Sequence, residues 1–158
     1  MIEADILQAI RTLLIDNTGL GLNGHTCLIS LNPNVPPKIP RGGKFFVRLC
    51  PNRSDFPLEE QDYQQLAERM VITIVPYVRI DLDPADSAEA LLFEQSRGLY
   101  RAKDEIIQCL AGKMLFDQAG QPMLREHLRV TFCGEPDYDQ ENRIAWLTID
   151  VNAVFDRW

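Results

Sequence analysis

Apolar residues recur at three- and four-residue steps near the start of the chain: Ile2, Ile6, Ile10, Leu13 and Leu14, with Glu3, Gln8 and Arg11 on other faces. That spacing predicts an amphipathic helix over 2–15, because such positions share one stripe at 3.6 residues per turn. Asn17 and Gly19 follow it and supply residue types that tolerate a left-handed helix end. Residues 26–31, TCLISL, read as a short β-like run. The stretch NPNVPPKIPRGG (32–43) holds four of the ten prolines, a density that predicts a loop.

Alternation then takes over. Phe45, Val47 and Leu49 share one face of a strand over 44–50, with Lys44 and Arg48 on the other. Residues 51–69 break that pattern and read as an insertion, with a helix start at Pro57-Leu58-Glu59-Glu60 continuing through DYQQLAER. Over 70–80, Ile72, Ile74, Val78 and Ile80 alternate with Thr73, Tyr77 and Arg79. Pro76 has no amide hydrogen for a ladder, so this strand is expected at a sheet edge or bulged there. A turn at 81–86 leads to helix-prone SAEALLFEQSRG, interrupted by Gly98, whose cost inside a helix is about 1 kcal/mol. A second helix covers 99–110, with Leu99, Ala102, Ile106, Ile107 and Leu110 inward and Ala111-Gly112 as its exit. After a turn at 117–122, a strand over 127–133 turns Leu128, Val130 and Phe132 inward and Cys133 outward. The acidic turn EPDYDQEN (135–142) precedes a last strand over 144–155, whose buried row is Ala145, Leu147, Ile149, Val151 and Ala153. Strands in consecutive runs joined by turns predict an α+β fold, an antiparallel sheet of about four to five strands with two main helices packed on one face.

Length and charge narrow the classes. At 158 residues the chain is sized for a single domain, 1–158, large enough to bury an ordinary core. Twenty-three acids against 16 bases give a formal charge of -7, which argues against general nucleic-acid affinity, since phosphate binding relies on Lys and Arg. Apolar runs fall far short of the ~20 residues that cross a bilayer, so no membrane is expected. The N-terminus carries acids where a secretory signal carries bases, and the expected setting is the cytoplasm. In that setting Cys27, Cys50, Cys109 and Cys133, which form no CxxC, read as buried thiols, and Asn52-Arg53-Ser54 is a chance glycosylation pattern.

Candidate chemistry is sparse. Gly19-Leu-Gly21-Leu-Asn-Gly24 spells GxGxxG, but a helix leads in and a strand leads out, the reverse of the order that brings a helix N-terminus to a pyrophosphate. Arg41-Gly42-Gly43-Lys44 lacks the other parts of a phosphate loop. Asp81, Asp83 and Asp86 lie close in sequence, as do Asp137, Asp139 and Glu141. Neither group has the glycine and closing glutamate of a calcium loop, and solvated turns explain both. A Cys–His pair between Cys27 or Cys133 and His25 or His127 is the remaining catalytic arrangement. No cofactor and no metal is expected.

Surface aromatics carry more. Phe46 shares a strand face with Lys44 and Arg48, and Trp146, Val154 and Trp158 lie opposite the last strand's core row. Two readings fit these residues: contacts with other proteins, or a sheet covered on both faces within the monomer.

The order of elements resembles the tail terminators and related neck proteins of tailed bacteriophages. The residues that carry it are ADILQAIRTLL, the strand ending VITIVPYVRIDLD, the helix RGLYRAKDEIIQCLAG and the closing hairpin LREHLRVTFCGEPDYDQENRIAWLTIDVNAVF, together spanning about 3–155. The segments 51–69 and 81–98 depart from that pattern. The resemblance implies a structural virion protein, not an enzyme, forming a homohexameric ring that caps the tail tube and joins it to the head. Implied partners are tail tube, neck or connector proteins and sheath, with DNA passing an acidic channel unbound. Another neck, connector or baseplate protein is the alternative within this class, and a small cytoplasmic enzyme the alternative outside it. On this reading Pro36, Pro37, Lys38, Arg41, Phe46, Phe56, Trp146 and Trp158 are candidates for subunit or tube contacts. Asp81, Asp83, Asp86, Asp137, Asp139 and Glu141 are the candidate channel acids.

Overall fold

The computed structural model describes residues 1–39, 45–57, 66–79, 92–93 and 98–157. Two long helices, α1 (Ile2–Asn17) and α2 (Leu99–Leu110), pack on one face of a sheet. Its strands are β1 (Cys27–Ile29), β2 (Phe45–Asp55), β3 (Ala67–Arg79), β4 (Arg129–Cys133), β5 (Asp137–Asp139), β6 (Ile144–Trp146) and β7 (Ile149–Asp156). The α+β architecture agrees with the sequence reading, but among the described residues the sheet has seven strands and is mixed, not four to five antiparallel ones.

Both differences have local causes. β1 runs parallel to β2, pairing Cys27 with Val47 and Ile29 with Leu49. Parallel neighbours need a crossover rather than a hairpin, and the proline-rich segment between them supplies it. The higher strand number comes from interruption. β3 pairs β7 from Ala67 to Ile74 and β6 from Tyr77 to Arg79 in one unbroken register, so β6 and β7 occupy one strand position. The gap between them, Leu147–Thr148, lies opposite Val75 and Pro76. Val47 donates its amide to Thr26 on the β1 side (2.8 Å), which leaves its partner Pro76 facing β6 and β7. There the missing amide hydrogen opens the ladder. The expectation of an edge strand is therefore corrected: β3 is central, between β2 and β6/β7, and its neighbour carries the break.

The main core lies between this sheet face and the helices. Ile6, Ile10 and Leu14 of α1 and Leu99, Ala102, Ile106 and Leu110 of α2 meet Val47, Leu49, Ile72 and Ile74, all fully or almost fully buried. The predicted row Ala145, Leu147, Ile149, Val151 and Ala153 is buried throughout, and Phe155 extends it. Gly98 is the residue capping the start of α2 in an extended conformation (ψ 155°), so it costs the helix nothing internally. Gly112 leaves α2 at φ +75°, as its position predicted. The end of α1 differs: Thr18 is extended and donates its hydroxyl to the Leu14 carbonyl (2.5 Å), and the left-handed residue is Gly21, not Asn17 or Gly19.

Two further expectations fall. Pro51–Asp55 belongs to β2 and Ala67–Arg69 to β3, so both ends of the expected insertion extend a long hairpin, and the helix does not reach 67–69. Residues 58–65, where that helix was placed to begin, lie outside the described residues. Phe132 is exposed and Cys133 packs towards the main core, the reverse of the expected parity. The cause is a register shift between Val130 and Phe132. One extra residue flips every side chain beyond it.

Candidate interaction surfaces

The second face of the sheet begins with alternation: with Val47 and Ile74 turned to the helices, Phe46, Arg48, Val75 and Tyr77 must point the other way. There Phe46, Val75, Tyr77 and Ile144 form a second buried cluster with Ile39 of the proline-rich arm, and Trp146 packs against it. Tyr77 stacks between Phe46 (6.2 Å, edge-on) and Trp146 (6.0 Å, tilted). Its hydroxyl donates to the Pro33 carbonyl (2.9 Å), and burial pushes its ionisation up. Arg48 lies 5.3 Å over the Tyr77 ring and donates to the carbonyls of Asn32 (3.2 Å) and Val35. Arg79 donates to the Ile39 carbonyl (2.6 Å). These charge-assisted bonds hold the arm down on its own sheet.

This resolves the two readings of the aromatics for the residues in view. Phe46 is 9% exposed, so it is a core residue of the second cluster and not a free contact surface. Trp146 is half-buried beside it. On the arm, Pro37 is buried, Pro36 half-buried and Lys38 exposed. Phe56, just past the opposite end of β2 from Phe46, is 49% exposed. Arg41 and Trp158 lie outside the described residues. Of the described candidates, Phe46 and Trp146 belong to the cluster that includes Ile39 of the arm, and Phe56 lies beyond the other end of β2. Sequence reasoning missed Arg48 and Tyr77 as the arm's anchors; their placement on the same alternating face as Phe46 was the available signal.

Of the acids, Asp81, Asp83 and Asp86 lie outside the described residues. Asp137 and Asp139 belong to β5, which pairs with β6, rather than to a turn. Asp139 accepts from the side chain (2.9 Å) and backbone (3.2 Å) of Asn142 and the backbone of Glu141 (3.1 Å). The Asn142 side chain first, then these amides, hold its carboxyl below the usual range. Its oxygens serve the turn that Arg143 closes at φ +53°, while Asp137 and Glu141 are exposed.

Nucleophilic chemistry finds no support in the thiols. An activated cysteine needs a lowered pKa. Burial instead pushes Cys27 up to about 11, and raises Cys50, Cys109 and Cys133 as well. All four are free, three buried and Cys133 half-buried, while His25 and His127 are exposed. Among the described residues no cluster of His, Cys, Asp or Glu is arranged to hold a metal, and no helix is long and apolar enough to cross a membrane.

What the surface does offer is apolar side chains at both sheet borders. At one border β1 and the residues after it expose Leu28 (38%), Ile29 (39%) and Leu31 (89%). At the other, β4 and β5 expose Phe132 (57%) and Tyr138 (41%). The two borders differ in sequence.

No family model and no curated protein matches the chain. Its fold is similar to that of a chain in a solved structure described as the virion of a native gene transfer agent (GTA) particle. The TM-score is 0.62 at 14% identity, over 96% of this chain and 94% of the other. The likeness is one of fold, and it leaves out almost nothing of either chain.

Proposed function

We propose that the chain is a structural protein of a phage-like virion, and within that class a tail terminator whose copies form a ring that caps the tail tube and joins it to the neck. The observation that carries this reading is the near full-length fold shared with a component of a gene transfer agent virion. The tail-terminator assignment draws on the order of elements across 3–155.

Physical features of the surface agree with assembly. A ring closed by rotation uses heterologous contacts, in which one patch meets a different patch of the next copy. The borders at Leu28–Leu31 and at Phe132 with Tyr138 are two such patches, on opposite sides of one sheet. Apolar side chains there would be covered in the ring and are exposed in the single chain. The excess of acids suits a wall that DNA passes, with Asp137, Glu141 and the 81–86 acids as the candidate lining. The raised thiols argue against a cysteine nucleophile.

Mixing the purified protein with tail tubes and imaging them by negative stain tests the role. Density at one tube end and arrested tube growth is the expected result. Tubes left bare, with the protein bound to portal particles instead, would assign it to the connector side and contradict a terminator.

A further inference from the structure

A groove of about 850 Å³ runs between α1 and the segment 114–123, and none of the exposed apolar residues of the sheet borders lines it. Its floor is Ala9 and Leu13 of α1 with Met114 and Met123, all half-buried extensions of the main core, and Phe116 forms a wall at 57% exposure. The wall is preformed. Asp117 donates its amide to Gln121 (2.8 Å), Met123 donates to Leu115 (2.9 Å), and the Asp117 carboxylate accepts from the amides of Ala119 and Gln121. Gly120 closes the turn at φ +78°. Phe116 is thus held out by a hydrogen-bonded loop, which lowers the ordering cost of binding.

The charged side chains that line this groove are acids: Asp5 and Asp117, with no lysine or arginine among the described lining residues. Arg11, the only base on α1, is turned to another flank, where it donates to the carbonyls of Cys27 (2.7 Å) and Gly24 (3.0 Å). The groove is walled by side chains, and the loop amides of Asp117, Ala119, Gly120, Gln121 and Met123 are paired within the loop, so a partner meets it chiefly through side chains. A helix inserting apolar side chains is the mode that fits. Two methionines on the floor adapt to the shape of what enters.

We infer that this groove docks an amphipathic helix of a partner protein, apolar on the inserted face and flanked by lysine or arginine that meets Asp5 and Asp117. The inference goes beyond the ring reading and stands without it, because it concerns a surface that reading does not use.

Fluorescence anisotropy with a labelled synthetic helix of about 14 residues, leucine on one face and lysine on the other, tests it against the full chain. Saturable binding that weakens with added salt is expected, with no binding of the leucine–glutamate counterpart. Ala9→Trp, which fills the groove, and Asp5→Lys, a surface change that leaves the core alone, should each weaken it about tenfold or more. Circular dichroism and thermal melting confirm that both variants stay folded. Absence of binding overturns the proposal, as does equal binding by the Ala9→Trp protein or equal binding of the glutamate peptide. Self-association of the free chain that Ala9→Trp abolishes would also overturn it, assigning the groove to a second copy. Loss of ring assembly with peptide binding intact would strike the ring reading alone.

Discussion

Cys27 stands at the start of β1 with no exposed surface, and its thiol titrates at about 11 instead of 9.0 because burial disfavours the thiolate, with Arg11 opposing weakly. Between those values the unfolded chain has released a proton that the folded chain keeps, so stability falls as pH rises through that window. The loss by pH ~11 is on the order of 2–3 kcal/mol from this residue. Cys50, Cys109 and Tyr77 shift the same way and steepen the decline. Urea unfolding at pH ~8 and ~10.5 should show the drop, and Cys27→Ala should reduce it; an unchanged drop in the variant would contradict the assignment. At this scale the sequence was partly legible. Alternation placed Phe46 and Arg48 on one face, and only the fold showed that residues 32–39 cover them. Phe132 and Cys133 were misplaced because a bulge leaves no mark in hydrophobic alternation.

The helices were the most legible elements, since an apolar stripe at helical spacing and a glycine exit do not depend on distant partners. α2 was predicted at the bounds it occupies. The strands were less so. Pro76 signalled a ladder defect, but which strand carries the gap depends on which way Pro76 faces, and Val47 settles that from across the sheet. The parallel placement of β1 likewise depends on a crossover that no local pattern encodes. One joint between elements was invisible in the sequence. Arg157, just past β7, holds Glu68 of β3 through three contacts of 2.9–3.0 Å and reaches Glu3 of α1 as well. Glu68 is only 4% exposed. Removing the cation leaves the largely buried carboxylate of Glu68 with the Ser54 hydroxyl (3.4 Å) but no counter-charge, so Arg157→Ala should lower the midpoint of denaturant unfolding. Replacing both residues by leucine should restore most of that, because an apolar pair of similar volume needs no counter-charge. An unfolding midpoint unchanged in the single variant would show that the clasp is not a structural joint.

At the scale of the whole molecule, one sheet carries three kinds of surface. Its helix-covered face is a closed core, its second face is sealed at one end by the proline-rich arm, and its two borders expose different apolar side chains. The -7 charge, first an argument against binding nucleic acid, becomes an expected property of a channel wall if the acids of 81–86 and 137–141 share one rim of a ring. Neither the borders nor the groove beside α1 was readable beforehand: which strands end the sheet depends on the pairing of all the others, and the groove joins segments far apart in the chain. The ring is the central claim, and the mass of the purified protein in solution tests it most directly. Sedimentation equilibrium across a range of concentrations, alone and with tail tubes present, should give a closed species near six times the 18.0 kDa of the chain. Leu31→Lys and Phe132→Lys should each dissolve it. A species that stays at 18.0 kDa at every concentration and ignores the tubes would contradict the account.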